Sequence, residues 1–118
     1  MTITTTAINM DLSPALKDYA EKRLQAITKY DSLTSIDIEL SKTTNHHRNG
    51  EIYAASVTVT SSLGKIYHAA SEKVDIYEAV DDVRDDIVRE IRSAKGKDHS
   101  LFRRGAKRIK DMLKGLRN

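Results

Sequence analysis

Four histidines, a run of paired aspartates and a basic C-terminal quarter are the residues whose types and spacing could carry chemistry. His46 and His47 are adjacent on a predicted turn, while His68 and His99 stand well apart from them in the chain. Adjacent turn side chains splay rather than converge, and no nearby carboxylate pair completes a metal-ligand spacing, so no metal site is expected. Asp81-Asp82 and Asp85-Asp86 could suggest carboxylate catalysis or magnesium binding. Helical neighbours diverge, however, and the pairs Asp81/Asp85 and Asp82/Asp86 lie away from the apolar stripe, which predicts a solvated acidic face. With no cysteine, the chain has no thiol nucleophile, disulfide or cysteine zinc site. It also lacks a GxSxG elbow, a Walker loop and a GxGxxG fingerprint. No enzyme, cofactor or small-molecule substrate is expected.

The basic quarter says more. The formal net charge of +3 conceals a gradient: residues 1–88 hold nine basic and fourteen acidic side chains, net −5, and residues 89–118 hold eleven and three, net +8. That excess is larger than compensation of a helix dipole requires, and arginine suits planar, two-pronged contact with phosphate. If about five of these cations met phosphates, affinity would fall with salt at a log-log slope of roughly −3 to −5. No RNP aromatic signature is present, so RNA shape and backbone would be read rather than bases. Leu101 to Leu116 could alternatively lie on an anionic membrane or dock in an apolar groove of a partner protein. With no tryptophan and only Phe102 as an aromatic anchor, the membrane reading ranks below RNA. No apolar run approaches the ~20 residues of a membrane span, and the N-terminus carries no targeting pattern, so a cytoplasmic protein is expected.

These side chains must be held by a small fold, because 118 residues at 39% hydrophobic content suffice for one modest core. Thr2 to Asn9 alternates weakly and reads as an edge strand. Ser13 and Pro14 supply a helix cap and a first helical residue, and Leu16, Ala20, Leu24 and Ile27 continue the helix to about Tyr30 at three- and four-residue spacing. Period-two patterns follow at Ile36, Ile38 and Leu40, at Tyr53 to Val59, and at Lys65 to Ser71. Asn49-Gly50 and Ser62-Leu63-Gly64 separate them as turns, which predicts an antiparallel meander. Asp75 opens the longest helix, whose stripe is Ile76, Val80, Val83, Ile87, Ile91 and Ala94, ending near Lys97. Gly96 and Gly105 flank a looser stretch before an amphipathic segment from Arg103 to Leu116. The class is α+β: a two-layer β-α-β-β-β-α domain over residues 1–97, with two helices packed on one face of a four-stranded sheet, and a basic extension over 98–118.

Three strings resemble the ribosome hibernation promoting factor family, also called ribosome-associated inhibitors or ribosomal subunit interface proteins. They are LSPALKDYAEKRLQAITKY (12–30), LSK (40–42) and VDIYEAVDDVRDDIVREIRSAKGK (74–97). In the last, Asp75, Tyr77, Ala79, Asp81, Arg89, Arg92 and Lys95 fall in register with the family's helix opening and basic second half. The resemblance implies the same element order and a protein that is a monomer when free. It further implies binding to the small ribosomal subunit, between head and body over the decoding region, and translational silencing by occluding the messenger and transfer-RNA sites. The resemblance, which covers about residues 1–97, implies contacts to ribosomal RNA phosphates from Lys22, Arg23, Lys29, Lys42, Arg89, Arg92, Lys95 and Lys97; Arg103, Arg104, Lys107 and Arg108 of the extension are expected to join them on their charge alone. Asp86 and Glu90 depart from the pattern, standing where family members usually have Lys and often Gln. The helix is therefore expected to meet RNA through its C-terminal turns. Residues 98–118 are too few for the separate domain by which long members pair ribosomes, and are expected to add a second ribosome contact that orders on binding.

Overall fold

The computed structural model describes residues 1–43 and 51–116, with side chains described as far as Gly96. The predicted Asn49-Gly50 turn and the His46-His47 pair lie outside the described residues. The elements follow the order β1 (Thr2–Ile8), α1 (Pro14–Gln25), β2 (Leu33–Thr43), β3 (Ile52–Ser61), β4 (Ile66–Lys73) and α2 (Ile76–Leu116), with a 3-10 turn at Ala26–Lys29 extending α1. This is the expected α+β arrangement.

Sequence chemistry accounts for where the helices start. The Ser13 hydroxyl accepts a hydrogen bond from the Leu16 amide at 3.1 Å, and Pro14 occupies the first helical turn. Asp75 does the same for α2, accepting from the Tyr77 amide at 2.9 Å. Both caps satisfy amides that a helix cannot bond internally.

The sheet order is β1-β2-β3-β4. Strands β2, β3 and β4 form the expected antiparallel meander, with Ile38 opposite Val57 and Val57 opposite Ala69. The sheet as a whole is mixed, because β1 runs parallel to β2, with Ile3 opposite Ile36. Segment 9–32 carries the chain back across the sheet through α1, and a crossover of a dozen or more residues is what parallel neighbours require. Asn9 begins that reversal at φ 58°, a left-handed conformation that asparagine tolerates.

All the core forms between the helix layer and one sheet face. Leu16, Ala20, Leu24 and Ile27 are buried, as are Val80, Val83, Ile87 and Ile91. They pack on Ile36, Ile38, Leu40, Val57 and Val59, with Tyr67 and Ala69 as the inward residues of β4. The opposite face is open, and Thr4, Thr6, Asp37, Glu39, Ser56 and Thr58 line a shallow depression there.

Residues 76–116 form one 41-residue helix, about 60 Å long at 1.5 Å per residue. The sequence reading of a helix ending near Lys97 and a separate segment from Arg103 therefore differs from the structure. Gly96 and Gly105 weaken a helix by about 1 kcal/mol each yet keep their amides, so the hydrogen-bond ladder passes through both. No helix among the described residues is long and apolar enough to cross a membrane.

Candidate nucleic-acid interface

The two helices lie side by side and run in the same direction, as three contacts in register demonstrate. Tyr19 meets Tyr77 edge-on at 4.9 Å between ring centres, Arg23 meets Asp81 at 3.0 Å, and the Arg92 guanidinium lies 5.1 Å from the centre of the Tyr30 ring. Their exposed surfaces mix cations with carboxylates, and the cations differ in how firmly they are held.

Arg23 is the most constrained. Its Nε donates to the Tyr19 hydroxyl at 3.2 Å and pairs with Asp81, while the guanidinium lies 5.4 Å from the centre of the Tyr19 ring. The Tyr19 hydroxyl donates to Asp81 Oδ1 at 2.8 Å. The hydrogen bond that Arg23 donates to Tyr19 and the charge of Asp81 hold the Arg23 pKa above its ordinary value. Asp82 accepts from the Ser71 hydroxyl at 2.7 Å. The expected solvated acidic face is corrected to this extent: Asp81 and Asp82 are half-buried and tie α2 to α1 and to β4. Asp85 is exposed beside Arg84.

The same geometry gives the opening of α2 a structural meaning. Asp75 caps the helix, Tyr77 packs on Tyr19, Ala79 is fully buried, and Asp81 takes the Tyr19 proton donor. Tyr19 and Tyr30 stand outside the periodic stripe of Leu16, Ala20, Leu24 and Ile27 and are only partly buried. The four-residue spacing of Tyr19 and Arg23 was the available signal for a ring-cation contact; their partner Asp81 is too distant in sequence to be read locally.

Towards the far end of the helix layer the cations are less enclosed. Arg89, Arg92 and Lys95 recur every three residues on α2 and so form a stripe. Arg89 pairs with Asp86 one turn back at 3.2 Å and is 76% exposed. Lys95 donates to the Tyr30 carbonyl and lies 3.8 Å from Asp31. Lys29, in the 3-10 turn next to Tyr30, is exposed, and Lys22 is exposed beside Asp18 at 3.0 Å. Arg92 and Lys95 therefore converge on Tyr30, with Lys29 the residue before it in the chain.

Lys42 does not join them. It sits at the other end of β2, roughly 30 Å away at strand rise, where it pairs with Glu51 at 2.5 Å. Glu51 also accepts from the Tyr53 hydroxyl at 3.0 Å. These bonds hold the Glu51 carboxyl below its ordinary range and raise both Lys42 and Tyr53. The side chains of Lys97, Arg103, Arg104, Lys107 and Arg108, like that of His99, lie outside the described residues, although the α2 backbone carries all of them. His68 is exposed on the open sheet face with Nδ1 3.0 Å from the Thr58 hydroxyl. Among the described residues no group of three or more His, Asp or Glu is placed to hold a metal ion.

The fold and these cations define a class: a two-layer α+β module whose helix side is basic at one end and whose opposite sheet face bears hydroxyls and carboxylates. The chain belongs to the family described as Sigma 54 modulation protein / S30EA ribosomal protein, which matches residues 3–99. This is the family expected from the strings at 12–30, 40–42 and 74–97. The chain is 28% identical over 112 residues to ribosome-associated factor Y of Haemophilus influenzae, covering 94% of this chain and 96% of that one. Its fold is similar to that of a ribosomal subunit interface protein from Coxiella burnetii, with a TM-score of 0.69, 23% identity, and coverage of 81% and 99% of the two chains. It is also similar in fold to the N-terminal domain of Thermus thermophilus Protein Y, with a TM-score of 0.66, 22% identity, and coverage of 77% and 96%.

Proposed function

We propose that this protein is a ribosome-associated translation inhibitor and hibernation factor of the cytoplasm. It binds the small subunit as a monomer and occupies the messenger and transfer-RNA sites of the decoding region. The observation that carries this reading is the family match across residues 3–99, which takes in the sheet, α1 and the basic turns of α2. The function needs no bond made or broken, only a basic surface held rigid against ribosomal RNA phosphates. Lys29, Arg89, Arg92 and Lys95 are its centre, and the acidic open sheet face, which would repel phosphate, points away. Lys97, Arg103, Arg104, Lys107 and Arg108 continue the contact along α2, so residues 1–97 act as the docking domain and 98–118 as an extension of its reach. Lys22, Arg23 and Lys42 lie away from that centre and are secondary contacts; like Arg89 and Lys95, each has an intramolecular carboxylate that phosphate must displace.

Sedimentation with ribosomes tests the proposal. The protein should travel with small subunits and whole ribosomes at low salt and leave them at high salt. Lys29→Gln combined with Arg89→Gln should make the log-log salt slope shallower by roughly 1.5 without altering the melting temperature. A protein confined to the light fractions at low salt would refute the reading. Reversal of Arg92 or Lys95 to Glu is a poorer test, because the new carboxylates would face the Tyr30 carbonyl and Asp31 and disturb the fold.

A further inference from the structure

The β3–β4 hairpin ends in an exposed leucine, and its turn is hydrogen-bonded to Ser32, two residues after Tyr30. Leu63 is 91% exposed at the tip, and Ile66, the first residue of β4, is 69% exposed. A single surface leucine needs no explanation, but three features distinguish this one. The turn is rigid: the Ser61 amide donates to the Lys65 carbonyl at 2.8 Å, the Gly64 amide donates to the Ser61 carbonyl at 3.0 Å, and the Lys65 amide donates to the buried Ser61 hydroxyl at 3.0 Å. Gly64 adopts φ +87°, which a residue with a Cβ would resist. The turn is also stapled to the strand entrance of β2, where the Ser62 amide donates to the Ser32 carbonyl at 2.8 Å and the two serine hydroxyls lie 2.8 Å apart. Finally, Ser32 directly follows Tyr30 and Asp31, the residues on which Arg92 and Lys95 rest. Leu63 is thus held at a fixed offset from the Lys29, Arg92 and Lys95 group by hydrogen bonds rather than by a flexible loop.

We infer that the hairpin tip is an apolar wedge of the RNA-binding surface, with Leu63 packing on an unstacked base of structured RNA while Lys29, Arg92 and Lys95 meet the flanking phosphates. The inference rests on the ribosome-binding reading and adds to it a contact of different chemistry. Leucine is among the side chains that proteins place against opened base steps, and the surrounding positive charge favours a polyanion over an apolar protein pocket. A pre-formed turn loses little conformational freedom on contact, so most of the apolar burial would count towards affinity.

The test compares Leu63→Ala with the unaltered chain in salt-dependent binding to purified small subunits. Leu63 has no role in the core, so the melting temperature should hold. Affinity should fall about tenfold, as expected for losing most of a buried leucine side chain, with an unchanged salt slope because no phosphate contact is lost. Equal affinity of the two proteins would overturn the inference while leaving the proposed function intact; absence of binding by the unaltered chain would overturn both. Because the chain has no cysteine, Leu63→Cys places one thiol at the tip for a photoreactive azide. Crosslinks to ribosomal RNA support the wedge, and crosslinks exclusively to ribosomal protein overturn it.

Discussion

Removing the Tyr19 hydroxyl separates a fold-holding contact from the ion pair that surrounds it. In Tyr19→Phe the ring and its edge contact with Tyr77 remain, while the 2.8 Å hydrogen bond to Asp81 and the longer 3.2 Å bond accepted from exposed Arg23 are lost. A hydrogen bond to a charged acceptor contributes about 1.5–3 kcal/mol when buried. Asp81 is 39% exposed and keeps Arg23 as a partner, so the loss should be near the bottom of that range or below it, about 1 kcal/mol. For a domain of roughly 100 residues this is a fall of about 4–8 °C in melting temperature. The assay is a double-mutant cycle of Tyr19→Phe with Asp81→Ala, followed by circular dichroism at 0.05 M and 1 M NaCl. The coupling should be about 1 kcal/mol at both salt concentrations, because a neutral phenol donor is little screened. The additional effect of Asp81→Ala that passes through exposed Arg23 should shrink with salt. Coupling below about 0.3 kcal/mol at both concentrations, within the error of additivity, would refute the view that this bond joins the helices.

Asp86→Asn should tighten ribosome binding by about two- to fivefold, since it removes a carboxylate roughly 7 Å from an incoming phosphate and releases Arg89. The salt slope should steepen by up to about 0.9, and weaker binding would count against Arg89 as a contact. At the other end of the sheet, Glu51 is held below its ordinary pKa of 4.5 and Lys42 above its ordinary 10.5. The carboxylate's contribution is present above its unfolded value and lost as pH falls through its folded one; the ammonium's is present below its unfolded value and lost as pH rises through its folded one. Lys42→Met should therefore lower the melting temperature at pH 7 and approach the unaltered protein below Glu51's folded value. A difference that persisted unchanged in strong acid would show that Lys42 acts through packing instead.

Periodicity exposed much of this fold because both helices bury a single stripe. Leu16, Ala20, Leu24 and Ile27, and Val80, Val83, Ile87 and Ile91, all read at helical spacing and all reach the core. Strand β4 was less legible, since Ile66 and Tyr67 alternate apolar groups onto both faces and only packing beneath α2 selects Tyr67. Alternation also carries no direction, so the parallel pairing of β1 with β2 could come only from the crossover. For the site, the sequence offered candidate cations without showing which were already engaged. The bond from Tyr19 to Asp81 spans 62 residues, and no local pattern encodes it. The separation of Lys42 from Lys29 follows from strand length, which the resemblance to a family of RNA-contacting residues does not convey.

Segregation of acids and bases along α2 has a consequence for how the molecule arrives at its target. The carboxylates gather near the start of a helix about 60 Å long and the cations gather towards its end, so the protein has a large permanent dipole moment parallel to that axis. In the field of a polyanion such a body experiences a torque as well as a pull, and it turns cation-first before any atom touches. At cellular ionic strength screening confines this to about the last 8 Å of approach. Diffusion brings the molecule near in any orientation, and the final nanometre selects one. In the proposed complex Arg89, Arg92 and Lys95 would thereby act on the association rate as well as on its lifetime.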